Sequence, residues 1–298
     1  MLKELSKITN KENIKTNFNL KEYTYIKLGG KADFFITPTS YKEVGEIIKL
    51  CNRRALQVTI LGKGSNLIIR DGGIRGIVLS LEKIIKVFIM QNYITTQAGA
   101  SLIDVSKIAL QYNLSGLEFA CGIPGTVGGA VFMNAGAYGG EIADILESVL
   151  VIDKNGELVK RDVKDLELGY RKSSIDKNRD IVVEATFKLK YGVYEDIKKT
   201  MDELTSKREN SQPLDLPSCG SVFKRPVGHY VGPLIIECNL QGYRIGGAKV
   251  SKKHAGFIVN VDNATAKNYI DLIELIQKTV KEKTDVSLEP EVRIIGED

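Results

Sequence analysis

Two glycine-rich stretches constrain this chain more than any other feature: GKGSN from Gly62 to Asn66 and GIPGTVGGA from Gly122 to Ala130. Glycine takes positive φ readily and lets main-chain N–H groups crowd around an anion, so a strand ending in such a loop can hold a phosphate through backbone donors. Two such loops in one chain suit one extended ligand carrying a diphosphate. The first follows an apolar strand pattern, Val58 to Leu61, and precedes another, Leu67 to Ile69, which places it between strands. A GxGxxG dinucleotide fingerprint needs a third glycine where Leu67 stands and a helix opening in the loop. A GxxxxGK[ST] phosphate loop needs its lysine directly after the second glycine, whereas Lys63 lies between the two. Neither a Rossmann domain nor a phosphate-loop ATPase is indicated. Taken alone, GKGSN reads equally as a tight turn with Gly64 or Asn66 in the left-handed region.

The second stretch continues as VFMNAGAYGG through Gly140 and projects little side-chain bulk. Glycine costs backbone entropy and packs poorly, so something else must fill the space beside such a segment, and a large planar cofactor is the natural occupant. Pro124 fixes one φ, while Thr126 and Asn134 offer hydrogen bonds to a phosphate or a heteroaromatic edge. The bland alternative is close packing of a helix on a strand.

The remainder of the composition narrows the class. With 298 residues and 43% hydrophobic content, the chain can bury two modest cores. Its 42 basic residues are nearly balanced by 37 acidic ones and are spread along the chain, so the net charge of +5 suits small anionic ligands and gives no case for nucleic acid. Cys51, Cys121, Cys219 and Cys238 are isolated and there are only two histidines, so neither a zinc site nor a disulfide framework is indicated and a reducing cytoplasm fits. The opening MLKELSKITNKENIK lacks an apolar core of signal-peptide length, and no run approaches the roughly eighteen apolar residues of a membrane span.

Periodicity predicts alternating helices and strands. Ser40 and Glu43 form a capping-box pattern ahead of Val44, Ile47, Ile48 and Cys51, and Ser101 to Tyr112 repeats the design with Val105, Ile108, Ala109 and Tyr112 as its buried stripe. Strands are predicted over Ile74 to Leu81, Tyr93 to Gln97 and Ile181 to Leu189. A hairpin turns at Asn155 and Gly156. A helix from about Glu195 to Glu209, a strand at Gly256 to Val261, a helix burying Tyr269, Ile270, Ile273, Ile276 and Val280, and a final strand from Leu288 to Ile295 complete the pattern. The fold class is α+β, with a boundary near Tyr191 and Gly192: residues 1–191 as one domain of two subdomains, roughly 1–82 and 83–191, and residues 192–298 as a second.

Six segments in order, GKGSNL, GIPGTVGGAVFMNAGAYGGE, GYRKS at Gly169 to Ser173, GSVFKRP at Gly220 to Pro226, GGAKVSKKHAGFIVN at Gly246 to Asn260 and LEPEVRIIG at Leu288 to Gly296, resemble the UDP-N-acetylenolpyruvoylglucosamine reductase family over nearly the whole chain. The resemblance implies an FAD-binding fold of the vanillyl-alcohol-oxidase (PCMH) type with a C-terminal α+β substrate-binding domain. It implies non-covalent FAD, NADPH as reductant, and reduction of the enolpyruvyl ether of a UDP-sugar to UDP-N-acetylmuramate in cytoplasmic peptidoglycan synthesis, with no obligate protein partner. The cofactor-binding positions it implies are Gly62, Lys63, Gly64, Ser65, Asn66, Leu67, Gly122, Ile123, Pro124, Gly125, Thr126, Gly128, Gly129, Asn134, Ala135 and Gly136. Catalysis is carried over to Arg171, Ser221 and Glu291. Arg171 suits a carboxylate through paired N–H bonds, Ser221 is the proton donor, and Glu291 assists in stabilising the enol. Tyr170, Lys224, Lys252 and His254 are the substrate contacts, expected at the UDP diphosphate and sugar because flexible cations and a ring donor suit phosphate. The short connection from Tyr170 to Tyr191 leaves little room for the tyrosine-bearing loop of larger members, so the chain resembles the shorter subclass.

Without the resemblance, Ser221 reads as a turn hydrogen-bonder, Glu291 as an exposed carboxylate and Arg171 as half of a surface ion pair. Two other functions compete: a flavin oxidase of the same fold acting on an alcohol or sugar, and a nucleotide-binding protein without turnover.

Overall fold

The computed structural model describes residues 1–298. The strands that organise it are β1 (Ile14–Asn19), β2 (Lys31–Ile36), β3 (Val58–Leu61), β4 (Leu67–Ile69), β5 (Ile74–Ser80), β6 (Val87–Met90), β7 (Tyr93–Gln97), β8 (Leu146–Ile152), β9 (Leu158–Asp162), β10 (Ile181–Lys188), β11 (Ser218–Ser221), β12 (Arg244–Ile245), β13 (Ala248–Val250), β14 (Phe257–Asn260) and β15 (Arg293–Ile295). The longer helices are α1 (Tyr41–Arg54), α2 (Leu102–Gln111), α3 (Val127–Phe132), α4 (Tyr194–Ser211), α5 (Val231–Glu237) and α6 (Ala266–Thr284). No helix is long and apolar enough to cross a membrane.

The chain divides into two compact units. The first comprises Met1–Thr16, Phe34–Gly62 and Gly76–Lys207. In it, β3 runs parallel to β5 from Val58 opposite Ile77 to Leu61 opposite Ser80. An antiparallel sheet is ordered β9-β8-β10-β7-β6. Helix α1 buries Val44, Ile47, Ile48 and Cys51, the stripe its periodicity predicts. Its start is built as the sequence suggests, with Ser40 Oγ accepting from Glu43 N at 3.3 Å. The returning bonds shift by one residue: Glu43 accepts from Thr39 N and Thr39 Oγ1 at 2.9 and 2.8 Å. Helix α2 buries Val105 and Ala109, but Tyr112 lies beyond its last turn, at the C-cap, and is exposed rather than part of the stripe.

The second unit comprises Asn17–Asp33, Lys63–Arg75 and Arg208–Asp298. Its antiparallel sheet is ordered β11-β14-β13-β12, and β4 runs parallel to β15 with Leu67 opposite Arg293. Helix α6 buries Tyr269, Ile270, Leu272, Ile273, Ile276 and Val280. The Tyr269 hydroxyl donates to Ile258 O at 2.6 Å and lies 3.2 Å from Cys219 Sγ, whose thiol burial pushes up to about 12. Asp71 completes the start of α6 by accepting from Ala266 N and Lys267 N at 2.8 and 3.0 Å.

These units are drawn differently from a division at Tyr191 and Gly192. Helix α4 continues the first unit because Ile197 and Met201 are its buried residues and Cys121 Sγ sits 3.7 Å from Met201 O. Residues 17–33 and 63–75 join the second because Ile26, Leu28 and Ile68 belong to its core. The final strand is also shorter than predicted. Pro290 has no N–H for a ladder, and residues around it bond instead to the segment after β11, Lys224 N to Glu289 O and Glu291 N to Val222 O, each at 2.8 Å.

Candidate active site and cofactor loops

The GKGSN loop leaves β3 at Gly62 and enters β4 at Leu67. Gly62 rests on the second glycine stretch: a Cβ there would fall 2.7 Å from Thr126 Oγ1, so only glycine lets these two segments approach. Gly64 is buried at φ +60, and a Cβ on it would come within 3.1 Å of Thr24 Cα. Thr24 is itself locked, its hydroxyl donating to Leu28 O at 2.7 Å and accepting from Leu28 N at 3.2 Å. The main-chain N–H groups of Lys63, Gly64, Ser65 and Asn66 donate to no acceptor of the protein, while Gly64 O and Asn66 O accept from Tyr25 N and Arg293 N. A run of successive donors without protein partners, one of them buried, fits an anionic diphosphate such as that of FAD.

The second stretch differs in detail from its sequence reading. Thr126 caps the short helix α3, its Oγ1 accepting from Gly129 N at 3.3 Å. The N–H groups of Val127, Gly128 and Ala130 go to Ala100 O, Ala98 O and Thr126 O. Asn134 is fully buried at φ 42, with Nδ2 donating to Gly169 O at 3.1 Å and Oδ1 accepting from Ala143 N at 2.9 Å. The Asn134 side chain thus bonds to the backbone at both ends, and the Thr126 hydroxyl accepts at the helix start while keeping its O–H as a donor. The N–H groups of Gly122, Gly125 and Thr126, ahead of the helix, remain as donors toward a ligand.

Arg171 is positioned from this same segment. Gly169 and Lys172 exchange two bonds of 3.1 Å, closing a tight turn with Arg171 in the left-handed region at φ 55. Its Nη2 donates to Gly136 O at 3.0 Å, its guanidinium lies 5.0 Å from the ring centroid of exposed Tyr170, and Ser173 Oγ donates to Phe132 O at 2.7 Å. The Gly169–Ser173 turn is thus stitched to Phe132, Asn134 and Gly136 by three hydrogen bonds.

The second unit brings together Asn66, Ser221, His254 and Glu291. Strand β11 pairs with β14 at Ser218–Val259 and Ser221–Phe257, and the uneven spacing marks a bulge at Gly220, held at φ +80 with open space around it. Bulges of this kind re-aim the following side chain. Ser221 Oγ donates to Phe223 O at 3.2 Å. Glu291 is held on both sides of its backbone: its N–H donates to Val222 O, and its carbonyl accepts from Asn66 Nδ2 at 3.2 Å. His254 packs edge-to-face on Phe257 at 4.9 Å. Lys224 is ion-paired to Glu289, and Lys252 is exposed beside Gly242. The contributions of Gly220, Val222 and Ser173 were not singled out from sequence. The one readable signal among them was an isolated glycine inside a strand pattern, which suggests a bulge.

A family model described as FAD binding domain matches residues 32–162, and one described as UDP-N-acetylenolpyruvoylglucosamine reductase, C-terminal domain, matches residues 212–295. Loops rich in unpartnered donors and this pair of matches define the class: an FAD-dependent oxidoreductase. Proteins called UDP-N-acetylenolpyruvoylglucosamine reductase from Oceanobacillus iheyensis and Staphylococcus aureus are 57% and 54% identical to this chain. The alignments cover 99% and 98% of it, and 96% and 95% of those proteins. The crystal structure of the Thermus caldophilus reductase superposes with a TM-score of 0.80 at 34% identity, covering 94% of this chain and 97% of that one. A grass-pollen glucose dehydrogenase, Phl p 4.0202, shares the fold at a TM-score of 0.50 and 15% identity, over 76% of this chain and 52% of its own. The chain belongs to the UDP-N-acetylenolpyruvoylglucosamine reductase family.

Proposed function

We propose that the chain reduces the enolpyruvyl ether of UDP-N-acetylglucosamine to UDP-N-acetylmuramate, drawing electrons from NADPH, as a cytoplasmic step of peptidoglycan precursor synthesis. The observation that carries this reading is the bond from Asn66 to Glu291, which fixes a loop of unpartnered N–H donors in one frame with Ser221 and Glu291. Residues 1–191 serve chiefly the flavin, with Tyr170 and Arg171 turned to the substrate, and residues 192–298 serve the UDP-sugar. In the second unit the N–H groups of Lys63, Gly64, Ser65 and Asn66 are the donors for the flavin's diphosphate. In the first unit the N–H groups of Gly122, Gly125 and Thr126 and the small side chain of Ala135 are offered to the cofactor.

FAD, bound and reduced by NADPH, would supply a hydride to one carbon of the vinyl group. The protein then has two tasks: to hold the enolate that develops and to protonate the other carbon. Arg171 holds the substrate carboxylate, its fixed turn presenting the planar donor fork that matches two oxygens. Ser221 Oγ–H gives its proton to the enolic carbon, and Glu291 stabilises the enol. Tyr170, Lys224 and Lys252 are proposed for the nucleotide and sugar. Lys224 reaches a phosphate by exchanging its Glu289 partner for it.

The test begins with the absorbance spectrum of the purified protein, which should show flavin. NADPH oxidation should then accelerate on addition of the enolpyruvyl sugar, with one sugar reduced per NADPH. A colourless protein that takes up no FAD, or NADPH consumption indifferent to the sugar, would overturn the proposal.

A further inference from the structure

The ring of His254 stands beside Ser221. A Cβ built on Gly256 would lie 3.0 Å from His254 Cε1 and 3.6 Å from Ser221 Oγ, so imidazole and hydroxyl flank one residue that puts no side chain between them. Gly256 is buried, and Phe257, which supports the imidazole face, is the cross-strand partner of Ser221. Gly256 N donates to His254 Nδ1 at 3.1 Å, and His254 N donates to Ser251 Oγ at 3.2 Å, which fixes backbone and ring together. A ring nitrogen that accepts a hydrogen bond carries no proton, so the neutral imidazole keeps its proton on Nε2. Burial lowers the pKa of His254, which favours this neutral form. No protein acceptor takes the Nε2–H.

A proton donor must come within about 3 Å of the atom it protonates. A second donor flanking the same glycine therefore reaches the oxygens next to that carbon, the ether oxygen bonded to it or those of the carboxylate it carries. The diphosphate of the substrate leaves the sugar at C1, whereas the enolpyruvyl ether is carried on C3. We infer that His254 is a fixed, neutral N–H donor to the enolpyruvyl end of the substrate, not a contact to the diphosphate. The inference rests on the role proposed above for Ser221. A neutral donor orients the carboxylate while leaving its charge in place, so the arginine remains the group that balances the charge developing in the reaction.

The experiment compares His254→Ala and His254→Gln using UDP as a calorimetric probe and single-turnover reaction with the enolpyruvyl sugar. UDP affinity should stay within about twofold in both variants. Reaction with the sugar should slow by about 10- to 100-fold in His254→Ala, the cost of one lost hydrogen bond to a charged group, and recover most of that rate in His254→Gln, which keeps a neutral N–H. Weakened UDP binding in His254→Ala would return the residue to the diphosphate, and a Gln variant as slow as Ala would refute the donor role. Ser221→Ala is run alongside. If it reacts normally, the reading of the site on which this inference rests falls. If it is slow while His254→Ala is not, the histidine inference alone falls.

Discussion

Ser221 owes its direction to the residue before it. Gly220 sits at φ +80 with nothing within 4 Å of a Cβ, so glycine is required there by backbone conformation rather than by crowding. The bulge re-aims Ser221, which stays paired with Phe257, and sets its side chain beside Gly256, leaving its hydroxyl on a weak bond of 3.2 Å to Phe223 O that a substrate can replace. Arg171 is held in an equally uncommon conformation, a non-glycine residue at φ 55, which costs about 1–2 kcal/mol and is maintained by the two Gly169–Lys172 bonds. A proton donated by Ser221 enters only the reaction with substrate. Ser221→Ala should therefore leave reduction of the bound flavin by NADPH nearly intact and slow its reoxidation by the enolpyruvyl sugar by about 10²- to 10⁴-fold, the span of lost general-acid catalysis. Stopped-flow absorbance of the two half-reactions separates these effects, and equal losses in both would refute the assignment.

At the level of elements, what the sequence revealed was local. Helix α1 could be placed from Ser40, Glu43 and an apolar stripe because caps and 3.6-residue periodicity act over a few residues. Helix α3 could not, because VGGAVF has poor intrinsic helicity and is started by the Thr126 cap and by bonds to Ala98 and Ala100. Nor could the partnership of β4 with β15, which joins residues more than two hundred positions apart and leaves no periodic trace. That pairing changes the reading of Asn66. The sequence makes it a cofactor-loop residue, and the structure adds a bond from its side chain to the Glu291 carbonyl, leaving its N–H among the loop's donors. Asn66→Asp removes the donor and sets a carboxylate against that carbonyl. It should slow reaction with the sugar by about 10- to 100-fold, the cost of about 1–3 kcal/mol for a broken part-buried hydrogen bond. The flavin-to-protein absorbance ratio should be retained. Loss of flavin with normal single-turnover rates in FAD-saturated variant would instead make the Asn66 side chain a cofactor contact.

The whole molecule is discontinuous in sequence, and this limits how it can be divided. The second unit draws on three chain segments, and its core contains Ile26, Leu28 and Ile68, all at most 1% exposed, along with side chains from the C-terminal third. A fragment spanning residues 192–298 matches the domain that the sequence suggests but lacks those three side chains, the β4 partner of β15, and Asp71 at the start of α6. Each buried aliphatic side chain contributes about 1.5–3 kcal/mol, so three remove about 5–9 kcal/mol. A whole domain has a net stability of only about 5–15 kcal/mol. Losing the cap at Ala266 and Lys267 adds about 1 kcal/mol more. The fragment should therefore show no cooperative urea transition and little amide dispersion in its NMR spectrum, whereas the intact chain unfolds cooperatively. Restoring residues 17–33 and 63–75 through a permuted chain, with the C-terminal segment joined to them by flexible linkers, should restore the transition. A sharp two-state unfolding curve for residues 192–298 alone would show that the C-terminal third carries its own core, and that the two N-terminal excursions merely decorate it.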